Sequence, residues 1–178
     1  MTPDAEDLLA PDVLADLEHQ PIDRVRASRA ACIEVETGLS YLRRLVQGPL
    51  DIVSRERARR DAGQPEPADL SALVKELPDL LADGTRAQGV GRLPQTLEPT
   101  TVDPQLAAEL AALLGDGRLA AVTSMPDDEL RALEGALADI ERRVSDRRRA
   151  FHERIDALQA ELTRRYRTGE ASVESLLE

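Results

Sequence analysis

Apolar residues recur every three or four positions along the first third of the chain. They are Leu39, Leu42, Val46, Leu50 and Val53, and Cys32 and Val35 extend the series toward the N-terminus. This spacing is typical of a helix that buries one narrow face against a second helix. It predicts one long helix over residues 22–60. Because the period continues past Gly48 and Pro49 without a phase shift, we expect a bend there and not a break.

A second stretch repeats the same apolar period. Its apolar positions are Leu130, Leu133, Leu137, Ile140, Val144, Phe151, Ile155, Leu158 and Leu162, with Arg147 as an interruption. Pro126 and the three acids that follow it suit a first helical turn, capped by Ser124 or a neighbour, and Gly169 suits a C-terminal end. The pattern predicts a second long helix over residues 126–168.

The remaining segments predict short helices and connections. Asp12–Leu17 and a stretch from Asp69, limited by Pro78, suit short helices, whereas residues 83–104 suit an extended connection. Asp103 suits the N-cap of a helix that ends at Leu114, with Pro104 at its first position. We therefore expect one all-α domain over residues 1–178. Its parts are an acidic, partly disordered N-terminus (1–20), the first long helix (22–60), a linker with short helices (61–125), the second long helix (126–168) and a tail (169–178).

Composition agrees with long packed helices. Aromatic residues make up 2% of the chain and apolar residues 42%, mainly leucine, alanine, valine and isoleucine. The single cysteine, Cys32, excludes an internal disulfide, and no apolar run is long enough to span a membrane. The acidic N-terminus is unlike a signal peptide, so we expect a cytoplasmic protein with no membrane contact.

Five polar residues occur twice, in the same order and 105 positions apart. The first set is Glu36, Ser40, Arg43, Gln47 and Asp51; the second is Glu141, Ser145, Arg148, His152 and Asp156. The steps of 4, 3, 4 and 4 residues place each set on one helix face, most of its members one residue after an apolar position. The sets therefore flank the apolar contact. Aligning their centres predicts an antiparallel two-helix coiled coil within one monomer, with pseudo-two-fold symmetry.

The charge distribution restricts the class of ligand. Residues 22–60 and 141–168 each carry nine arginines against five acids, whereas the rest of the chain has 5 basic and 24 acidic residues. A net charge of −11 disfavours direct DNA binding, which needs a broad cationic surface. Two basic stretches that face each other suit a small anion, and the acidic remainder suits a basic protein partner.

The repeated side chains suit a guanine nucleotide. Arginine binds phosphate, pairs with the O6/N7 edge of guanine or stacks on a base, and carboxylates accept hydrogen bonds from the opposite guanine edge. Duplication on two antiparallel helices favours a ligand that is itself two-fold symmetric, such as a cyclic guanine dinucleotide. No metal is expected, because the Glu-xx-His pairs of di-metal bundles are missing: Arg149 lies three residues before His152.

These residues also carry a family resemblance. The stretch ETGLSYLRRLVQGPLD holds the pattern E-xxx-S-xx-R-xxx-Q-xxx-D, which resembles the signature of the RsiG family of cyclic-di-GMP-dependent anti-sigma factors in actinobacteria. The second copy, ERRVSDRRRAFHERID, matches except that His152 stands in place of glutamine. The resemblance implies a coiled coil that clasps cyclic-di-GMP, as an intercalated pair of molecules. It implies that the liganded protein inhibits a sporulation sigma factor of the WhiG, flagellar-like type.

The resemblance also implies roles for the repeated residues. Arg43 and Arg148 would stack on bases or contact phosphates, and Asp51 and Asp156 would accept hydrogen bonds from guanine. The serines and Gln47 would supply further polar contacts, and the two glutamates would orient arginines or accept from guanine. If His152 contacts phosphate, affinity would rise below about pH 6.5.

Three other functional classes compete with this interpretation. The main alternative is a structural coiled-coil adaptor whose polar faces are solvated and bind no ligand. Direct nucleic-acid binding is opposed by the net charge. An enzyme is disfavoured, because the sequence shows no Ser/His/Asp grouping and no phosphate-binding loop.

Overall fold

The chain folds as a set of helices around one long helical pair. The computed structural model describes residues 5–64, 102–115 and 117–170, which contain no strand. The α-helices are α1 (Ala5–Leu9), α2 (Ile22–Asp61), α3 (Pro104–Leu114) and α4 (Asp127–Thr168). Short 3-10 helices occupy Pro11–Val13, Leu17–His19 and Val122–Ser124. The predicted all-α class is confirmed.

Helices α2 and α4 run antiparallel along their whole length. Near one end the Arg26 guanidinium donates to the Tyr166 hydroxyl at 2.6 Å. Near the other end the Ser54 hydroxyl donates to the Glu134 carboxylate at 2.7 Å. Residues later in α2 therefore contact residues earlier in α4. The predicted antiparallel coiled coil is confirmed.

The core is the apolar seam between these two helices. On α2 it consists of Val25, Cys32, Leu39, Leu42, Val46 and Val53, all at most 3% exposed. On α4 it consists of Leu130, Leu133, Leu137, Ile140, Val144, Phe151, Leu158 and Leu162. Burial of each large side chain contributes roughly 1.5–3 kcal/mol, so the seam is the main source of stability. Phe151 supplies bulk near the middle of the seam, where its counterpart 105 positions earlier is Val46.

Helix α2 continues through Pro49 without interruption, as its apolar period predicted. Proline removes one backbone donor and costs about 3 kcal/mol in a helix interior. Val46 and Val53 are fully buried on either side of it. Their packing against α4 stabilises the helix by more than the proline destabilises it.

The start of α4 differs from its predicted cap. Pro126 occupies the N-cap position and provides no side-chain hydrogen bond. The Ser124 hydroxyl instead donates to the carbonyl of Ala121 at 3.1 Å, inside a 3-10 helix. The acidic first turn is as predicted, and Gly169 ends the helix with φ of 78°, a left-handed conformation that favours glycine.

Helix α3 has the predicted N-cap. The Asp103 carboxylate accepts hydrogen bonds from the backbone of Gln105 and Leu106, both at 3.0 Å. It also accepts one from Arg147 at 2.5 Å. The pairing explains why arginine interrupts the α4 seam. The helix predicted from Asp69, the extended connection up to residue 101 and most of the tail lie outside the described residues.

The N-terminal segment contains α1 and two of the 3-10 helices. Residues 5–20 pack on the coiled coil, with Leu8 buried at 5% exposure. Arg154 of α4 donates to the carbonyls of Leu9 and Ala10, the second at 3.0 Å. Residues 5–20 thus contact the long helices within a segment for which the sequence predicts partial disorder. Local acidity suggested a solvated segment, whereas contacts from a helix 145 positions away fix its backbone.

A second repeat with the same 105-residue offset closes both ends of the helical pair. On α2, Glu56 accepts hydrogen bonds from Arg59 and Arg60. Arg60 also donates to the carbonyls of Val122, Thr123 and Met125, at 2.7–3.0 Å. We call this arrangement an arginine staple, because it joins the C-terminal end of one long helix to the turn that precedes the other.

The second arginine staple is formed by α4. Glu161 accepts hydrogen bonds from Arg164 and Arg165, and Arg165 donates to the carbonyls of Leu17 and Gln20. Each of these groups lies 105 positions from its counterpart in the first staple. The acceptor carbonyls of Leu17 and Gln20 correspond in this way to those of Val122 and Met125. The pseudo-two-fold relation therefore extends from the centre of the pair to both of its ends.

Protonation of Glu161 should destabilise the fold in acid. Hydrogen bonds from Arg164 and Arg165 lower the pKa of Glu161 from 4.5 to about 2. Its charge therefore stabilises the folded state above about pH 4.5, and this contribution is lost as the pH falls toward 2. We expect Glu161→Gln to lower the free energy of unfolding by about 2 kcal/mol at neutral pH, because Arg165 stays buried without its partner.

The measurement is urea unfolding, followed by circular dichroism between pH 7 and pH 3. The difference between wild type and Glu161→Gln should shrink as the pH falls. Glu153→Gln, which alters an exposed carboxylate of the same helix, is the matched control and should differ little from wild type throughout. A pH-independent difference for Glu161→Gln would contradict the assignment.

Candidate functional site

The two repeated polar sets form one continuous polar face beside the seam, which we call the ladder. It comprises Glu36, Ser40, Arg43, Gln47, Asp51, Glu141, Ser145, Arg148, His152 and Asp156. The structure brings seven of these side chains into two hydrogen-bonded clusters. Gln47 is half-buried, and Asp51 and Asp156 are exposed. None of these last three makes a hydrogen bond or ion pair with any described residue.

The first cluster is centred on the Glu36 carboxylate. One oxygen, Oε1, accepts from the Ser40 hydroxyl at 2.7 Å and from Arg148 Nε at 2.9 Å. The same oxygen lies 3.1 Å from His152 Nε2. Arg148 Nε also donates to the Ser40 hydroxyl at 2.8 Å. A glutamate and serine of α2 therefore hold an arginine of α4.

The second cluster is the pseudo-two-fold counterpart of the first. Glu141 Oε1 accepts from the Ser145 hydroxyl at 2.8 Å and from Arg43 Nε at 3.0 Å. Arg43 Nε also donates to the Ser145 hydroxyl at 3.0 Å. Here a glutamate and serine of α4 hold an arginine of α2. The two polar sets thus exchange their arginines, and each cluster needs both helices.

The contacts keep both glutamates ionised. Burial raises the pKa of Glu36, but hydrogen bonds from Ser40 and Arg148 and the charges nearby outweigh it, so the pKa lies below its usual 4.5. Burial also raises the pKa of Glu141, but hydrogen bonds from Ser145 and Arg43 outweigh it and hold this pKa below its usual value. Each cluster is therefore a carboxylate–guanidinium pair of opposite full charges.

The clusters position the arginines without using all of their donors. Only Nε of Arg43 and of Arg148 is hydrogen-bonded within the described part of the chain. The Nη nitrogens, which carry the four other N–H groups of each guanidinium, are free to bind a further acceptor. Side-chain exposures of 37% for Arg43 and 33% for Arg148 allow a ligand to reach them.

His152 makes the two clusters unequal. It approaches Glu36, whereas its counterpart Gln47 makes no hydrogen bond to Glu141. With 47% of its side chain exposed, His152 lies at the solvent edge of the first cluster. Its contact in the structure is a carboxylate, so the imidazole is a third polar group around Glu36, beside the Ser40 hydroxyl and the Arg148 guanidinium.

Arg29 belongs to the same face, although the repeat does not include it. It precedes Glu36 by seven residues, two helical turns, and so lies in line with the ladder. Its Nε is buried and has no hydrogen-bond partner. The counterpart position holds Glu134, which binds Ser54 and Arg57. A search for identical residues 105 positions apart therefore misses Arg29, but the seven-residue step could have found it.

Two further classes of site are not seen in the described residues. No group of three or more His, Cys, Asp or Glu side chains there is arranged to hold a metal ion. None of the helices described is both long enough and apolar enough to cross a membrane.

A protein-family comparison accounts for most of the chain. The model of the family described as RsiG-like matches residues 11–81 and 116–178. The chain belongs to the RsiG-like family. The matched ranges contain both long helices, all ten ladder residues and both arginine staples, but not α3. The resemblance found in the repeated motifs is thereby confirmed for most of the sequence.

RsiG-like membership gives the general class of function. The family is one of anti-sigma regulators and not an enzyme class, so it supports an anti-sigma role and a sigma factor as the general kind of partner. None of the curated proteins compared with the chain matches it significantly.

The ladder arginines should contribute little to stability. Ion pairs exposed to this extent are typically worth under about 1 kcal/mol, so Arg43→Ala and Arg148→Ala should each lower the free energy of unfolding by no more than that amount. Arg60→Ala is the comparison: it removes three backbone contacts and a partner of buried Glu56, and should cost about 3 kcal/mol. Thermal and urea unfolding would measure both, and equal losses would contradict this division of roles.

Proposed function

We propose that this RsiG-like protein is a cyclic-di-GMP-binding anti-sigma factor. With the dinucleotide bound along the ladder, it sequesters a sigma factor of the WhiG, flagellar-like sporulation type and represses transcription. The observation that carries the proposal is the pair of crossed Glu-Ser-Arg clusters. They present two arginines of opposite helices in equivalent settings, related by pseudo-two-fold symmetry.

The symmetry supports a two-fold symmetric ligand. A cyclic dinucleotide offers two guanines and two phosphodiester groups, and each half can meet one arginine with its free Nη donors. Those donors suit either a phosphate oxygen or the O6/N7 edge of guanine. Since Glu and Ser already fix the Nε edge, little side-chain entropy remains to be lost on binding.

The outer members of the ladder support selectivity for guanine. Asp51 and Asp156 are exposed carboxylates without partners in the described structure, so they can accept hydrogen bonds from guanine N1–H and N2–H₂. Adenine presents an acceptor at N1 and would meet these carboxylates unfavourably. Gln47 and His152 add amide and imidazole groups between the arginines and the aspartates.

The length of the ladder supports an intercalated pair of dinucleotides. Fifteen residues separate Glu36 from Asp51, and also Glu141 from Asp156. At about 1.5 Å per residue, each polar set extends roughly 22 Å along its helix. One dinucleotide would cover only part of a face of that length. A stack of several bases, held between the arginines, would cover more of it.

Charge supports a sigma factor as the partner. Sigma factors bind DNA and need cationic surface to do so. Outside the two arginine-rich stretches the chain has 24 acidic and 5 basic residues, which gives a complementary potential. Because each cluster spans both long helices, ligand binding would favour one helix–helix register, and a partner that recognises this register would bind only the liganded state.

A structural adaptor without a ligand is the second candidate. It is favoured by one observation: the two Glu-Ser-Arg clusters are complete without any added molecule. On that interpretation the ladder only aligns α2 with α4. A direct measurement of ligand binding distinguishes the two candidates.

Calorimetric titration with cyclic-di-GMP should show saturable binding, with GTP and cyclic-di-AMP as ligand controls. Arg43→Ala and Arg148→Ala should each weaken binding roughly tenfold or more, since each removes charged hydrogen bonds. Arg24→Ala and Arg131→Ala, exposed arginines far along the same helices, are matched controls and should bind as wild type does. Absence of binding by wild type, alone and with the sigma factor present, would leave the adaptor.

Sigma-factor binding should depend on the dinucleotide. We expect a pull-down or interferometry measurement with a WhiG-type sigma factor to show tighter binding in the presence of cyclic-di-GMP, and Arg148→Ala to lose this gain. Arg131→Ala again serves as the control. Equal sigma affinity with and without the dinucleotide would rule out ligand gating.

A further inference from the structure

The ladder by itself carries more negative than positive charge. It has two arginines, Arg43 and Arg148, against four carboxylates, those of Glu36, Glu141, Asp51 and Asp156. Its formal charge is therefore −2 with His152 neutral. Both arginines are already paired with a glutamate of the opposite helix. Each cyclic dinucleotide of the proposed intercalated pair adds one negative charge on each of its two phosphodiester groups, so a further source of positive charge is needed.

Arg44 and Arg149 lie beside the ladder at equivalent places. They are 105 positions apart, like the ladder residues, although the five-residue pattern does not include them. Arg44 follows Ser40 by four residues and precedes Gln47 by three, and Arg149 has the same relation to Ser145 and His152. Residues three and four apart are neighbours on a helix surface. Each arginine therefore adjoins two ladder residues, on the side away from the buried seam.

Neither side chain is committed to the fold. Arg44 is exposed and makes no hydrogen bond or ion pair with the described residues. The ion pair of Arg149 is with Asp146, at 3.8 Å on its own helix, with side chains 72% and 61% exposed. A pair so long and so exposed contributes almost nothing to stability. Arg142 and Arg143, on the neighbouring turn of α4, differ in being closely paired with Asp139 and Glu109 at 2.5 Å.

We propose that Arg44 and Arg149 are the phosphate-binding residues of the site and supply the positive charge that the ladder lacks. Each of the two arginines serves the phosphodiester groups that lie nearest to its own helix, while Arg43 and Arg148, fixed by their glutamates, are left to meet the bases. The inference rests on the proposed cyclic-di-GMP function and assigns the division of labour within it. Exposed charges at the rim of a site act at long range, so they also accelerate association at low salt.

The experiment is a titration with cyclic-di-GMP at low and high salt, with association rates from stopped-flow fluorescence of a labelled dinucleotide. Arg44→Ala/Arg149→Ala should weaken binding roughly tenfold or more at low salt. It should also slow association and flatten the dependence of affinity on salt. Arg44→Lys/Arg149→Lys should restore most of the affinity, because lysine binds phosphate as a point charge but lacks the planar edge for guanine. Arg24→Ala/Arg131→Ala is the matched double control.

The outcomes separate this inference from the function on which it rests. Wild-type affinity and salt dependence in the double alanine variant, with loss in Arg43→Ala, would overturn the phosphate assignment and leave the cyclic-di-GMP site intact. Failure of the lysine variant to recover would also overturn it, since the arginines would then be recognising bases. No binding by wild type, with or without the sigma factor, would overturn both.

Discussion

The apolar contact between α2 and α4 runs the length of both helices and sets the rotation of each about its axis. Valines and leucines spaced three and four apart can be buried together only if the two seams face each other. Once they do, every residue one position after the seam lies on the flank of the pair. The ladder therefore needs no loop to shape it: its geometry follows from the same packing that stabilises the protein.

The register of this contact has to be fixed as well, because a seam of similar apolar residues can slide. The arginine staples supply the constraint at the two ends. In each staple, a buried carboxylate–arginine group binds the backbone carbonyls of the turn that precedes the opposite helix. A shift of the helices by one turn would therefore leave buried charges without partners. The crossed clusters of the ladder repeat the constraint in the middle, with more exposed side chains. The staples therefore serve mainly stability, whereas the clusters leave the Nη donors of their arginines unused.

Membership of the RsiG-like family and the ladder geometry bear on different levels of function. The family gives an anti-sigma regulator, whose partner is in general a sigma factor. The ladder gives donors, acceptors and symmetry that suit a cyclic guanine dinucleotide. A coupling between the two follows if ligand and partner favour the same register of one helical pair, since any molecule that binds one arrangement more tightly stabilises it. His152 and Arg29 make one end of the ladder chemically different from the other, so two halves of a bound ligand would meet unequal surroundings.

The sequence by itself determined the two long helices, their antiparallel pairing and the face on which the repeated polar residues lie, because these depend on periods of three and four residues within one segment. The single helix through Pro49 and the Asp103 cap followed from the same local rules. Only the tertiary structure decided that Glu36 holds Arg148 and Glu141 holds Arg43, that His152 faces a carboxylate, and that residues 5–20 are folded. Those contacts join groups about 100 or more positions apart, and their partners depend on the exact register and rotation of the helices. The staples fall between the two cases: their residues repeat visibly in the sequence, but their carbonyl acceptors have no side-chain signature.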